Sequence, residues 1–178
     1  MPDAPIRVLF VCTGNSARSQ IAEAVLGRIG GEDFEVLSAG TEPKGVNPYT
    51  IRVLDNEGID WSSARSKSVR EFLGRPFDYV ITVCDTARQT CPVFPGTHER
   101  LHWDLEDPAE VDGPDERKLA AFRATYEELD RRIRPFVATT LRTPIARIPR
   151  LPSSRSWSRP PRALQPARDP RAGACAPG

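Results

Sequence analysis

Four consecutive apolar residues, Val8-Leu9-Phe10-Val11, run straight into Cys12-Thr13-Gly14-Asn15-Ser16-Ala17-Arg18-Ser19, and an amphipathic stretch opens at Gln20. A buried strand that turns through a tight loop into a helix leaves few folds open, because strand followed by helix is the unit of a parallel α/β sheet. The loop itself has the composition of an anion cradle. Gly14 admits backbone conformations closed to residues with a Cβ, and the short side chains of Asn15, Ser16 and Ser19 can hydrogen-bond back across a tight turn. Arg18 presents a rigid fork of donors that matches two oxygens of a tetrahedral oxyanion.

Cys12, at the head of this loop, is expected to be the nucleophile. A free thiol has a pKa of about 8.5, lowered to roughly 3.5–7.5 beside cations and helix N-termini. Both influences would act here, so Cys12 is expected to be ionised at neutral pH. A Cys-x5-Arg spacing alone recurs by chance, and cysteine is often a small core hydrophobe. The preceding strand, the glycine and the helix start turn the spacing into a site in which Thr13, Gly14, Asn15, Ser16, Ala17, Arg18 and Ser19 bind the anion that Cys12 attacks.

The rest of the chain alternates in the same way. Ile6–Val11 and Phe34–Ser38 read as strands around a helix over Ser19–Ile29, whose Ile21, Ala22, Val25, Leu26 and Ile29 share a face. Asn47-Pro48 caps and starts a helix reaching about Glu57, and Ser68 begins a short one. Asp78–Val83 fits a buried parallel strand, Arg100–Trp103 a short last strand, and Pro114–Val137 a long helix with Leu119, Phe122, Tyr126, Leu129 and Ile133 three or four apart. The expected fold is α/β: an open four-stranded parallel sheet flanked by helices, with the Cys12 loop at the carboxyl edge, where such sheets bind ligands.

Directly after the third strand come Cys84 and Cys91. That strand ends on the edge carrying Cys12, so Cys84 can approach the nucleophile. On a continuous helix the seven-residue spacing separates the two Cα atoms by about 10.5 Å, beyond the roughly 7 Å limit for a disulfide. Joining them requires the segment to unwind. A redox relay from Cys12 to Cys84 to Cys91 is the functional reading; core packing of Cys84 is the bland one, and a zinc site lacks a second closely spaced ligand pair. Asp107, before Pro108, is the candidate proton donor, with Asp104 and Glu106 as competitors. His98 and His102 read as structural or exposed.

Composition divides the chain. Residues 138–178 hold eight prolines, eight arginines and a single acidic residue, while the preceding part carries the acidic excess that brings the net charge to +1. We therefore expect a domain over residues 1–137 and a disordered Arg/Pro-rich tail over 138–178, with nucleic-acid binding the less favoured use of its arginines. No apolar run has the 18–20 residues of a membrane span, and Met1-Pro2-Asp3 does not resemble a secretory leader. A cytoplasmic location, where thiols stay reduced, is the expectation.

The segment from Phe10 to Gln20, with Ser38-Ala39-Gly40, Gly45-Val46-Asn47-Pro48, Cys84, Cys91-Pro92, His102-Trp103 and Asp107-Pro108, resembles the thioredoxin-coupled arsenate reductases, which share the fold of low-molecular-weight tyrosine phosphatases. The resemblance covers residues 6–137. It implies that Cys12 attacks arsenate held by the loop amides and Arg18, that Asp107 acts as the acid, and that Cys84 releases arsenite. Cys91 would then form a Cys84–Cys91 disulfide that thioredoxin reduces. Phosphate and sulfate would compete as oxyanions, and no bound cofactor or metal is implied. Some relatives bind potassium through groups matching Asn15, Glu23, Ser38 and an acidic residue; Lys67 stands in the place of that last group, which argues against a cation there. Ala17 replaces a cysteine of some members, and Cys175 matches nothing in the relay.

Other functions are open to such a chain. A phosphotyrosine phosphatase would use the same cradle, but Ala109-Glu110 follow the Asp-Pro pair where aromatic residues would stack a substrate ring. An arsenate reductase using a low-molecular-weight thiol and a glutaredoxin-like partner would not need Cys84 and Cys91. A non-catalytic oxyanion sensor would not need the Cys12 sulfur.

Overall fold

The computed structural model describes residues 4–96 and 98–142. Strands β1 (Ile6–Cys12), β2 (Phe34–Gly40), β3 (Tyr79–Thr82) and β4 (Glu99–His102) form one sheet in the order β2-β1-β3-β4, with every neighbouring pair parallel. Val8, Leu9, Phe10 and Val11 of central β1 have no exposure, as do Val80 and Ile81 beside them. A strand covered on both faces needs that unbroken apolar run. The register sets Cys12 beside Gly40, Val11 beside Thr82 and Thr82 beside His102, so the carboxyl ends of all four strands reach one edge.

Helix α1 (Arg18–Gly30) buries Ile21, Ala22, Val25 and Leu26, and Ile29 packs partly against the core. Helix α2 (Pro48–Asn56) is capped by Asn47, whose side chain accepts the N–H of Tyr49 at 2.9 Å, with Pro48 in the first turn. The short helix expected from Ser68 is a 3-10 turn, Val69–Phe72, closed by a capping box between Ser68 and Glu71.

Helix α4 (Asp115–Arg142) buries Phe122, Tyr126, Leu129 and Ile133 as the spacing predicts. It passes Pro135 and continues five residues beyond the expected end at Val137. A proline inside a helix removes a hydrogen bond. Here Phe136 packs against Tyr79 (5.0 Å between ring centroids), Trp103 (5.8 Å) and Phe34 (6.2 Å), and that burial holds the helix together. The expected boundary at residue 137 thus falls within a helix. The tail reading for residues 143–178, and Cys175 with it, lies outside the described residues.

Three short elements have no counterpart in the sequence reading: the 3-10 turns Gly31–Asp33 and Pro108–Glu110, and helix α3 (Asp85–Thr90). Of the six residues of α3 only Ala87 is buried. Among the described residues no helix is long and apolar enough to cross a membrane.

Candidate active site

β1 delivers Cys12 to the carboxyl edge, and the chain wraps back over its own sheet before α1 begins at Arg18. The backbone shows which way the loop faces. The carbonyls of Cys12, Thr13, Gly14 and Ser16 accept N–H groups from Thr41, Glu42, Lys44 and Asn47 at 2.9–3.1 Å, and that of Asn15 accepts the Ser66 hydroxyl at 2.6 Å. Carbonyls held outward turn the peptide N–H groups inward, which is how a nest for an anion is made. Ala17, at the N-cap of α1, supplies no side-chain cap, so the first helical N–H groups are left for a ligand. Gly40 makes the wrap possible: a Cβ there would lie 2.6 Å from the Thr13 carbonyl oxygen and 2.8 Å from the Asn15 nitrogen.

The Cys12 sulfur is 2.8 Å from Ser19 Oγ and accepts the N–H of Asn15 at 3.1 Å. It is 2 % exposed, and burial pushes the thiol above its ordinary range, against the opposing pull of Ser19, Arg18 and the Asn15 N–H. Burial thus works against the expected thiolate at neutral pH. That expectation counted the attracting groups and omitted the hydration lost on burial. It also credited Arg18 with an undivided charge. In the structure the guanidinium gives one arm to Asp107 Oδ2 at 2.6 Å and another to the Leu105 carbonyl at 3.0 Å.

Asn15 and Ser19 do not face the ligand space. Both side chains are fully buried behind the loop, so only their backbone N–H groups are left to meet an anion. Asn15 holds the turn with a φ of 45°, in the region that favours glycine. Its Nδ2 donates to Ser19 Oγ (2.9 Å) and Ser38 Oγ (2.8 Å), and its Oδ1 accepts the Lys67 N–H (2.7 Å) and Gln20 Nε2 (2.9 Å). Gln20, missed by sequence reasoning, is also fully buried and accepts Trp61 Nε1 at 2.8 Å. Behind Ser38 lies Glu23, which receives the Ser38 hydroxyl and pairs with Lys67 Nζ at 2.9 Å. An ammonium therefore sits on the carboxylate that a potassium ion would need, and these residues do not fit such an ion.

In front of the loop is a cleft of about 500 Å³. Cys12, Thr13, Gly14, Ser16, Ala17 and Arg18 form one wall, and Cys84, Asp85, Asp104, Asp107, Ala109 and Glu110 stand across from them, with Lys44, unforeseen in the sequence, at the loop. Cys84 caps α3 by accepting the Ala87 N–H at 3.4 Å, and its sulfur is 3.4 Å from Thr13 Oγ1. Cys91 ends the same helix, half-buried and outside the cleft lining, its thiol pushed up by burial and drawn down by Arg100. All three described cysteines are free. Asp107 Oδ1 accepts the N–H of Ala109 at 3.0 Å, which fixes the carboxylate toward Arg18. At the mouth of the cleft His102 bridges Thr82 (2.9 Å) and Asp85 (3.3 Å), the pairing of a structural histidine, while His98 stacks against Phe94.

The chain that carries this combination, a thiol at the floor of an outward-anchored loop with an arginine at the helix start, is similar to known proteins. Residues 7–145 fit the sequence pattern of the low molecular weight phosphotyrosine protein phosphatases. The chain belongs to that family. Within this family it is 41% identical over 132 residues to the arsenate reductase of Halalkalibacterium halodurans, covering 74% of this chain and 95% of that one. A thioredoxin-dependent arsenate reductase of Corynebacterium glutamicum aligns at a TM-score of 0.58 with 32% identity, covering 78% of this chain and 63% of that one. A low molecular weight protein tyrosine phosphatase of T. tengcongensis aligns at 0.63 with 30% identity, over 75% and 99%. The expected phosphatase-like α/β fold is thus the observed one.

Proposed function

We propose that this chain reduces arsenate to arsenite, with Cys12 as nucleophile, Cys84 and Cys91 as a disulfide relay, and thioredoxin as the reductant. The observation that carries the reading is a second thiol, Cys84, on the wall of the same cleft as Cys12, one threonine hydroxyl away from the anion loop. Ester hydrolysis calls for water at that place; reduction calls for sulfur.

The residues account for each step. Arsenate enters with its oxygens toward the loop N–H groups and draws the Arg18 fork from Asp107. The Cys12 sulfur forms a bond to arsenic and an arsenic–oxygen bond breaks. The departing oxygen leaves as water, taking the thiol proton by way of Asp107 together with the proton it already carried. Cys84, as thiolate, then attacks the Cys12 sulfur. The electron pair of the sulfur–arsenic bond stays on arsenic, As(V) becomes As(III), and arsenite departs from a Cys12–Cys84 disulfide. Attack by Cys91 on Cys84 frees Cys12, and thioredoxin reduces the Cys84–Cys91 bond.

The last exchange requires α3 to open, since the two cysteines cap its opposite ends. A six-residue helix anchored by Ala87 alone is well suited to that, because helices of such length are marginal by themselves. No resident cofactor is invoked; phosphate and sulfate are competing ligands, and the reaction is assigned to the reducing cytoplasm. The family also contains phosphatases, and Ala109 and Glu110 in the cleft wall offer no ring to stack a phosphotyrosine. Arsenite formation with thioredoxin, its reductase and NADPH tests the proposal. NADPH oxidation that depends on arsenate supports it; hydrolysis of an aryl phosphate with no arsenate-dependent oxidation overturns it.

A further inference from the structure

The Lys67–Glu23 pair is buried, each side chain 13% exposed, and it lies at the far end of an unbroken set of hydrogen bonds that reaches the nucleophile. The orientation of Asn15 in that set is fixed. The Lys67 backbone N–H can only donate, so the atom of Asn15 facing it at 2.7 Å is the amide oxygen, and the Asn15 NH2 faces the two serines. Its two hydrogens go to Ser38 Oγ and Ser19 Oγ. Ser38 already accepts, so its own proton goes to Glu23. Ser19 likewise accepts from Asn15, and its oxygen lies 2.8 Å from the Cys12 sulfur; once that sulfur is a thiolate, it can only accept, and Ser19 is the donor. The Glu23 carboxylate accepts at the end of this set, and a buried carboxylate needs a counter-charge. Within the structure that charge is the Lys67 ammonium at 2.9 Å.

We propose that Lys67 is a built-in cation: its ammonium balances the buried Glu23 carboxylate, steadies the hydrogen-bonded set that places Ser19 against the Cys12 sulfur, and makes the reactivity of Cys12 independent of alkali cations. Lys67 touches neither substrate nor sulfur, so it is a positioning residue. The inference rests on Cys12 being the nucleophile and adds the group that keeps its donor aimed. In a chain with a neutral side chain at position 67, Glu23, Ser38 and Asn15 would present oxygens to an open space, and a potassium ion would fit there with the oxygen ligands that hard cations require.

The test is the rate of iodoacetamide labelling of Cys12 in the full chain, resolved from the other cysteines by peptide mass spectrometry. It is followed across pH in potassium chloride and in choline chloride of equal ionic strength. The wild-type profile is expected to be the same in both salts. Lys67→Ser is expected to label about tenfold more slowly below its midpoint in choline, the effect of roughly one pH unit in that midpoint, and to recover in potassium; Lys67→Arg is expected to stay near wild type. A wild-type rate that rises with potassium overturns the proposal, as does a Lys67→Ser profile equal to wild type or one that is slow in both salts. Should Lys67→Ser not fold, the wild-type salt comparison stands, together with Glu23→Gln/Lys67→Met, which removes both charges and should label slowly in either salt; wild-type speed there overturns it. Failure of Cys12 to label at any pH in the wild type would instead remove the proposed function, which separates the two outcomes.

Discussion

Replacing Ser19 by alanine removes one hydroxyl from behind the anion loop and leaves every cleft-lining residue in place. The hydroxyl accepts from Asn15 and lies 2.8 Å from the Cys12 sulfur, where it is the donor whenever that sulfur is a thiolate. A hydrogen bond to a charged group contributes about 1.5–3 kcal/mol. At roughly 1.4 kcal/mol per unit, its loss raises the midpoint of a thiol already pushed up by burial by about one to two units. Below that midpoint the labelling rate follows the thiolate fraction, so Ser19→Ala should react about 10–100-fold more slowly with iodoacetamide near neutral pH. The same change strands one Asn15 amide hydrogen in the interior, at a cost of about 1–3 kcal/mol in unfolding free energy. Peptide-resolved labelling from about pH 6 to 10 and urea unfolding read the two effects separately. Superimposable labelling profiles for Ser19→Ala and wild type would refute the reasoning.

Gly40→Ala should lose both stability and oxyanion binding, because the new methyl meets backbone atoms of Thr13 and Asn15 rather than a movable side chain; about 1–3 kcal/mol of overpacking is expected in urea unfolding, with phosphate binding measured by calorimetry falling at least tenfold. Cys91→Ser should still release arsenite once from each chain and then stall as a Cys12–Cys84 disulfide, visible by peptide mapping, whereas Cys84→Ser should release none. The Glu71 carboxyl, held down to about 2 by Arg65 and the Ser68 N–H, should titrate by NMR well below an ordinary glutamate. Since its folded value is depressed, its contribution to stability is complete above the unfolded glutamate value and disappears as pH falls through about 2. An ordinary glutamate midpoint would show that the capping box does not hold in solution.

The strands and long helices were legible because their residues obey a single local rule. Val8–Val11 is an unbroken apolar run, and α4 keeps Phe122, Tyr126, Leu129 and Ile133 at helical spacing. Asn47-Pro48 announces α2, and Ser68 announces the turn after it. Helix α3 was not legible, since Asp85–Thr90 buries only Ala87 and shows no period. The end of α4 was placed at Val137, five residues short, because the Arg/Pro-rich composition that follows reads as tail, whereas the helix runs on to Arg142.

The site divides along the same line. Cys12, Cys84 and Asp107 follow from their places at or after strand ends and Arg18 from its place at the start of α1, and the structure gathers them at one cleft. The upward push on the Cys12 thiol did not follow, because it depends on burial created by the whole fold. Nor did the inward turn of Asn15 and Ser19, the support from Gln20 and Trp61, or the capture of Arg18 by Asp107 in the ligand-free state. Gln20 could have been suspected from its place beside the loop on the buried face of α1.

A single-turnover experiment bears on the relay most directly: the fully reduced chain is mixed with excess arsenate in the absence of any reductant, quenched with acid, and analysed for arsenite and for disulfides. One arsenite per chain and a Cys84–Cys91 bond, with Cys12 again free, is the predicted outcome. Arsenite formed without that bond, or no arsenite at all from a chain whose Cys12 is reduced, would contradict it.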